Sequence, residues 1–102
     1  MKKQFKQISK INKIDKASHS DRLCKLFEEC GELAQGVNKT IGRKVHKKSK
    51  QEILDNICEE GADVIQNVFC LLDGYGIKYE DIEKTLSEKN SVWSKIIKNS
   101  KK

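Results

Sequence analysis

Leu23-Cys24-Lys25-Leu26-Phe27-Glu28-Glu29-Cys30-Gly31-Glu32-Leu33-Ala34 decides how this chain is read. Leu23, Leu26, Phe27, Cys30, Leu33, Ala34 and, just beyond, Val37 recur at helical spacing and predict a buried apolar stripe. At roughly 100° of rotation per residue, Glu29 falls at the edge of that stripe. Glu28 and Glu32, four apart, stack on the polar side, where like charges repel. A plain surface helix gains by alternating Glu with Lys, so the crowding asks for a reason. The pattern returns at Glu59-Glu60-Gly61-Ala62-Asp63. Two helices that each carry such an acidic unit can face one another and form a site for a hard cation.

The bulk properties agree with a helical domain. The chain has 102 residues, read as one domain over 1–102, with charged residues at 35% and aromatics at 6%. Its core must therefore be aliphatic. Proline is absent, which favours long uninterrupted helices over a turn-rich β fold. The formal charge of +6 raises nucleic acid as a partner. The lysines, however, crowd both ends, from Lys2 to Lys16 and from Lys95 to Lys102, as solvated tails also do. Acidic residues hold the middle, where a nucleic-acid reader should be basic, so nucleic acid is disfavoured. Cys24, Cys30, Cys58 and Cys70 show no C-x-x-C spacing and read as free, buried thiols of a reducing compartment. His19 and His46 lack a ligand partner at i+3 or i+4, which argues against zinc. No apolar run resembles a signal peptide or approaches a membrane span, so a soluble, cytoplasmic protein without membrane contact is expected.

Four helices are predicted. Phe5, Ile8, Ile11 and Ile14 mark a short one over residues 3–16 that lays a single stripe on the rest. Ser18-His19-Ser20-Asp21 offers caps for a second helix ending near residue 38. Residues 39–48, with Gly42, Arg43-Lys44 and Lys47-Lys48, read as a loop or frayed helix end. Ser49 and Glu52 form a capping box that starts the third helix, which runs to Asp73 before Gly74-Tyr75-Gly76 ends it. Its apolar arc is wide, predicting burial on more than one side, with Asn56, Glu60, Asp63 and Asn67 as a narrow polar strip along one edge. A fourth helix, residues 79–98, uses Ile82, Leu86, Trp93, Ile96 and Ile97, with disordered residues after it. The expected fold is all-α, a bundle of four helices.

If the second and third helices pack antiparallel, Glu29, Glu32, Glu60 and Asp63 converge. Uncompensated, such carboxylates cost several kcal/mol or take up protons; a divalent cation removes the cost. Oxygen-only donors favour Mg²⁺ or Mn²⁺ over zinc or copper. A di-iron bundle requires Glu-x-x-His, and here Glu32 and Asp63 stand where the His belongs. The bland alternative is a pair of acidic solvated faces. Gly31 and Gly61 cost about 1 kcal/mol each relative to Ala in mid-helix, which predicts close approach by a helix or a ligand.

Glu28-Glu29-Cys30-Gly31-Glu32-Leu33 followed by Glu60-Gly61-Ala62-Asp63 resembles the E-E-x-x-E … E-x-x-D signature of MazG-like nucleotide pyrophosphohydrolases, within the all-α NTP pyrophosphatase superfamily. The likeness runs over about residues 20–97. It implies that Glu29, Glu32, Glu60 and Asp63 hold Mg²⁺ and that Glu28 orients a water or a second ion. It also implies hydrolysis of a nucleoside triphosphate to monophosphate and pyrophosphate in a homodimer or homotetramer. Asn90 and Lys95 match, more loosely, the family's phosphate-binding positions on the last helix, with lysine where arginine is common. Trp93 between them reads as core or as a base-stacking platform, and Arg43 and Lys44 as further phosphate neighbours. Two other readings stay open: a homologue that binds Mg²⁺ and nucleotide without turnover, and a small basic helical protein that binds nucleic acid.

Overall fold

The computed structural model describes residues 1–41 and 49–101, and among them it forms four helices and no strand. These are α1 (Lys2–Ile14), α2 (His19–Ile41), α3 (Lys50–Gly74) and α4 (Tyr79–Ser100). Order, number and type match the expectation. α2 outlasts its predicted end, and α4 continues as helix through residues expected to be disordered. The expected loop character of residues 42–48, and the roles considered for Arg43 and Lys44, lie outside the described residues.

Local chemistry sets the helix ends. Ser18 and Asp21 cap α2 reciprocally: the Asp21 N–H donates to Ser18 Oγ at 3.1 Å and the Ser18 N–H to Asp21 Oδ2 at 3.4 Å. At α3 the Glu52 N–H donates to Ser49 Oγ at 3.2 Å. The far end of α3 closes with a 6→1 bond from the Ile77 N–H to Leu72 O, 3.2 Å, and a 5→2 bond from the Gly76 N–H to Asp73 O, 2.8 Å. Gly76 takes φ +78°, the left-handed conformation this cap requires and a side chain resists.

α3 is the central element, as its wide apolar arc predicted. α2 packs along one side and α1 along another, and extensive helix–helix packing among the described residues is confined to these pairs. Neighbours across the α2–α3 seam, Gly36 with Asn56 and Glu29 with Asp63, show that the helices run antiparallel. On the α1 side, Phe5 meets Phe69 edge-on with centroids 5.2 Å apart, and Tyr79 approaches both rings. Phe5, Ile8 and Phe69 are the buried hydrophobics. Asn12 fastens the other end of α1, donating both Nδ2 hydrogens, to Cys70 O at 3.0 Å and to Asp73 Oδ2 at 2.9 Å. Ile11 and Ile14, predicted to continue the stripe of α1, are exposed.

α4 departs from this body. Only its first turn is anchored, by Tyr79, Ile82 and a Lys2–Glu80 ion pair of 3.3 Å. Every residue from Glu83 to Lys101 is exposed. Trp93, weighed as core, is 65% exposed, and Leu86, Ile96 and Ile97 lie bare beside it. The radius of gyration is 17.0 Å, against about 13 Å for a compact domain of this size. One chain leaves its bundle open.

The predicted stripe of α2 needs correction. Leu23, Phe27, Cys30 and Val37 are exposed, and Phe27 keeps 68% of its surface. Leu26 and Leu33 of the predicted stripe are half-buried as expected, and they form the seam together with Arg22, Gly36 and Glu29, the residue at the stripe's edge. Gly36 makes the close approach there, and a Cβ would come within 3.2 Å of Asn56 Oδ1, so the Asn56 side chain would have to shift by a few tenths of an ångström. The thiols follow the rotation: Cys24, Cys30 and Cys58 are free but exposed, not buried, and Cys70 is half-buried.

Phe69→Ala is expected to lower stability by about 3 kcal/mol through an unfilled core site. Asn12→Ala, which removes two hydrogen bonds, is expected to cost about 1–2 kcal/mol. Urea unfolding at one fixed protein concentration measures both.

Candidate metal centre

The seam rotation puts an acid where a hydrophobe is expected. Glu29 is only 5% exposed, and it faces Glu60 and Asp63 of α3. One carboxylate oxygen from each of these three residues lies within 4.8 Å of the other two. Glu29 Oε2 and Glu60 Oε2 are buried and have no hydrogen-bond partner. A buried, unpaired carboxylate oxygen is costly, and two of them in one cluster are relieved by a proton or a cation. Hard oxygen donors with open lone pairs fit a divalent ion of the Mg²⁺ or Mn²⁺ kind.

The polar strip on α3 frames this cluster as predicted. Asn56, Glu60, Asp63 and Asn67 are all half-buried along the seam. The Asn67 Nδ2 donates to Asp63 O at 2.8 Å, tying its side chain to the helix beneath. Asn56 fills the space left by Gly36 at the other end.

The remaining predicted residues are distributed unevenly. Glu32 is exposed and stands outside the three-carboxylate set, yet its carboxyl is raised above the ordinary carboxylate value. The charge of Glu29 is the largest cause, followed by the charge of Glu60 and by burial. Glu28 is exposed on the polar side of α2. Asn90, Trp93 and Lys95 ride on the exposed stretch of α4 and are not gathered with the carboxylates in the single chain. Gly31 and Gly61, expected to permit close approach, have open space where a Cβ would stand, so none of the described elements exploits them.

One participant was not singled out in the sequence. Lys25 Nζ lies 3.1 Å from Glu29 Oε1 and 3.7 Å from Glu28 Oε2. Its ammonium is held above the ordinary lysine value, first by the hydrogen bond with Glu29 and then by the charges of Glu29 and Glu28. The signal was available: Lys25 and Glu29 are an i,i+4 pair.

Comparison with known proteins follows the same residues. The profile of the MazG nucleotide pyrophosphohydrolase domain matches residues 17–95, which takes in both acidic units and most of α4 but not α1. A curated relative, the uncharacterized protein YvdC of Bacillus subtilis (strain 168), is 41% identical over 68 residues. That alignment covers 63% of this chain and 64% of the relative, so the chain spans less than two thirds of the length of the protein it matches. No solved structure matches the chain.

The electrostatics of the site set a pH dependence of unusual sign. Glu32 binds its proton more tightly folded than unfolded, so its ionisation opposes folding. That opposition is complete above the raised folded pKa and fades as pH falls toward the ordinary carboxylate value. Glu32→Gln is therefore expected to stabilise the metal-free protein near neutral pH, with the gain shrinking on mild acidification. Melting curves of both proteins in EDTA across that range test it, and a gain that grows on acidification contradicts it.

Proposed function

We propose that this chain, which belongs to the MazG nucleotide pyrophosphohydrolase family, hydrolyses nucleoside triphosphates between the α and β phosphates. The products are a nucleoside monophosphate and pyrophosphate. The observation that carries the reading is buried Glu29, with an unpartnered oxygen, meeting Glu60 and Asp63 across the α2–α3 seam. A solvated acidic face, the bland alternative, does not bury its carboxylates.

In this reading Glu29, Glu32, Glu60 and Asp63 hold Mg²⁺, with Mn²⁺ as a substitute. The bound ion supplies positive charge against the phosphate oxygens and the developing charge of the leaving group. Glu28, exposed and adjacent, orients the attacking water and accepts its proton. Water oxygen joins the α-phosphorus, the bond from that phosphorus to the bridging oxygen breaks, and the electron pair leaves with pyrophosphate. The rigid seam fixes Glu29 against α3, so the carboxylates need little rearrangement to engage an ion.

A second copy of the chain completes the site. The bare row of α4 and the exposed Leu23, Phe27 and Val37 of α2 are apolar surfaces that a lone chain leaves wet. Packing one copy's α4 against the other's α2 and α3 covers them. It also brings Asn90 and Lys95 toward a neighbour's phosphates and offers Trp93 to core or base. A homodimer, or a homotetramer built from it, is the proposed assembly. Free thiols on all four cysteines fit a cytoplasmic location, and no described helix is long and apolar enough to cross a membrane.

Pyrophosphate release from a panel of ribo- and deoxyribonucleoside triphosphates, with Mg²⁺ and with EDTA, is the direct test. Metal-dependent monophosphate plus pyrophosphate is expected. Orthophosphate release contradicts the bond assignment, and tight nucleotide binding without turnover favours a binding protein. Glu29→Gln is expected to lower kcat/KM by more than the roughly 10–100-fold typical of residues beyond the ligands themselves. Trp93→Glu is expected to shift the protein to monomer in light scattering and to abolish turnover while its helical circular dichroism remains.

A further inference from the structure

The one cation paired with the carboxylate cluster among the described residues is Lys25. Its contact with Glu29 is unequal at its two ends. The glutamate side chain is 7% exposed and held in the seam, whereas the lysine side chain is 55% exposed and rests on a flexible stem. The pair also has the weaker helical order, with Lys on the N-terminal side of Glu. The lysine can therefore leave at little cost, and the glutamate cannot. Glu29 Oε1 is occupied by Lys25 and Oε2 has no partner, so an ion that takes Glu29 by both oxygens must displace the ammonium.

Charge balance indicates where the displaced group goes. Among the described residues, the five carboxylates of Glu28, Glu29, Glu32, Glu60 and Asp63 are paired with one lysine. One divalent ion leaves the site net negative, yet a triphosphate must approach it. A mobile ammonium at the rim, already within 3.7 Å of Glu28, stands beside the ion's place and can turn outward to a phosphate oxygen.

We infer that Lys25 is a displaceable counter-ion, which neutralises Glu29 before the metal binds and then passes to a phosphate oxygen of the nucleotide. The inference rests on the metal-dependent reading above and adds a residue to it. Lys25 thus competes with the metal in the empty protein and assists the substrate in the loaded one. These effects have opposite signs, and a lysine that merely props up the helix produces neither.

Lys25→Met keeps the stem and removes the charge; Lys25→Arg keeps the charge. Calorimetric titration of the nucleotide-free proteins with Mn²⁺ is expected to show tighter binding in Lys25→Met by about two- to five-fold, the range of an exposed ion pair. At saturating metal, a non-hydrolysable α,β-methylene triphosphate is expected to bind Lys25→Met at least about ten-fold more weakly, charge-assisted contacts being the stronger kind. Lys25→Arg is expected to recover most of that loss. Weaker Mn²⁺ binding in Lys25→Met, or unchanged nucleotide affinity, overturns the inference while leaving the functional reading intact. Wild-type protein that binds neither Mn²⁺ nor nucleotide overturns both.

Discussion

Glu29 carries a charge into the seam between α2 and α3, where it is 5% exposed and meets two more carboxylates within 4.8 Å. At an effective dielectric of about 20, each ionised pair at such a distance repels by a few kcal/mol. The arrangement exists only because the rest of the structure holds it. Leu26 and Leu33 flank Glu29 in the seam, and Gly36 lets the helices close where Asn56 needs room. The capping bonds at Ser49 and Ser18 fix where each helix begins and hence which residues meet. A seam that concentrates like charge is a poor way to gain stability and a good way to hold a cation.

The buried hydrophobics are gathered at the other side of α3. Phe5, Ile8 and Phe69 form a small core with Tyr79, and Asn12 locks α1 to the end of α3. This cluster spares α3 from depending on the acidic seam alone. α1 lies before the matched region 17–95. Three buried hydrophobics among the described residues are few for a domain of this size, and the exposed rows of α2 and α4 are the natural reserve of further burial.

Much of this was legible in the residues. The Ser49–Glu52 capping box and the glycines after Asp73 located both ends of α3 because these signals act within a few residues. The strip Asn56, Glu60, Asp63 and Asn67 stood out because polar side chains interrupt an apolar arc at helical spacing, and α2 covers it. The repeated acidic units pointed to a cation site, since repulsion on that scale is unrewarded in a plain helix. The position of Lys25 was equally visible as a spacing, but a spacing does not tell a paired lysine from a solvated one.

The rotation of α2 was decided by the tertiary structure alone. The predicted stripe holds two rows: Leu23, Phe27, Cys30, Ala34 and Val37 form one, and Leu26 and Leu33, flanked by Arg22, Glu29 and Gly36, form the row beside it. Both obey the same period, and hydrophobicity favours the first. Within the chain the helices close on the second, because Gly36 permits their contact and Glu29 finds Glu60 and Asp63 there. With that rotation Cys24 and Cys30 stand outside the core, and Trp93 stands outside it because α4 leaves the body after its first turn. The sequence by itself determined the four helices, both ends of α3 and the acidic character of the seam, which depend on neighbours a few positions away. Which apolar row faces inward depends on contacts between distant segments, and that the structure alone decided.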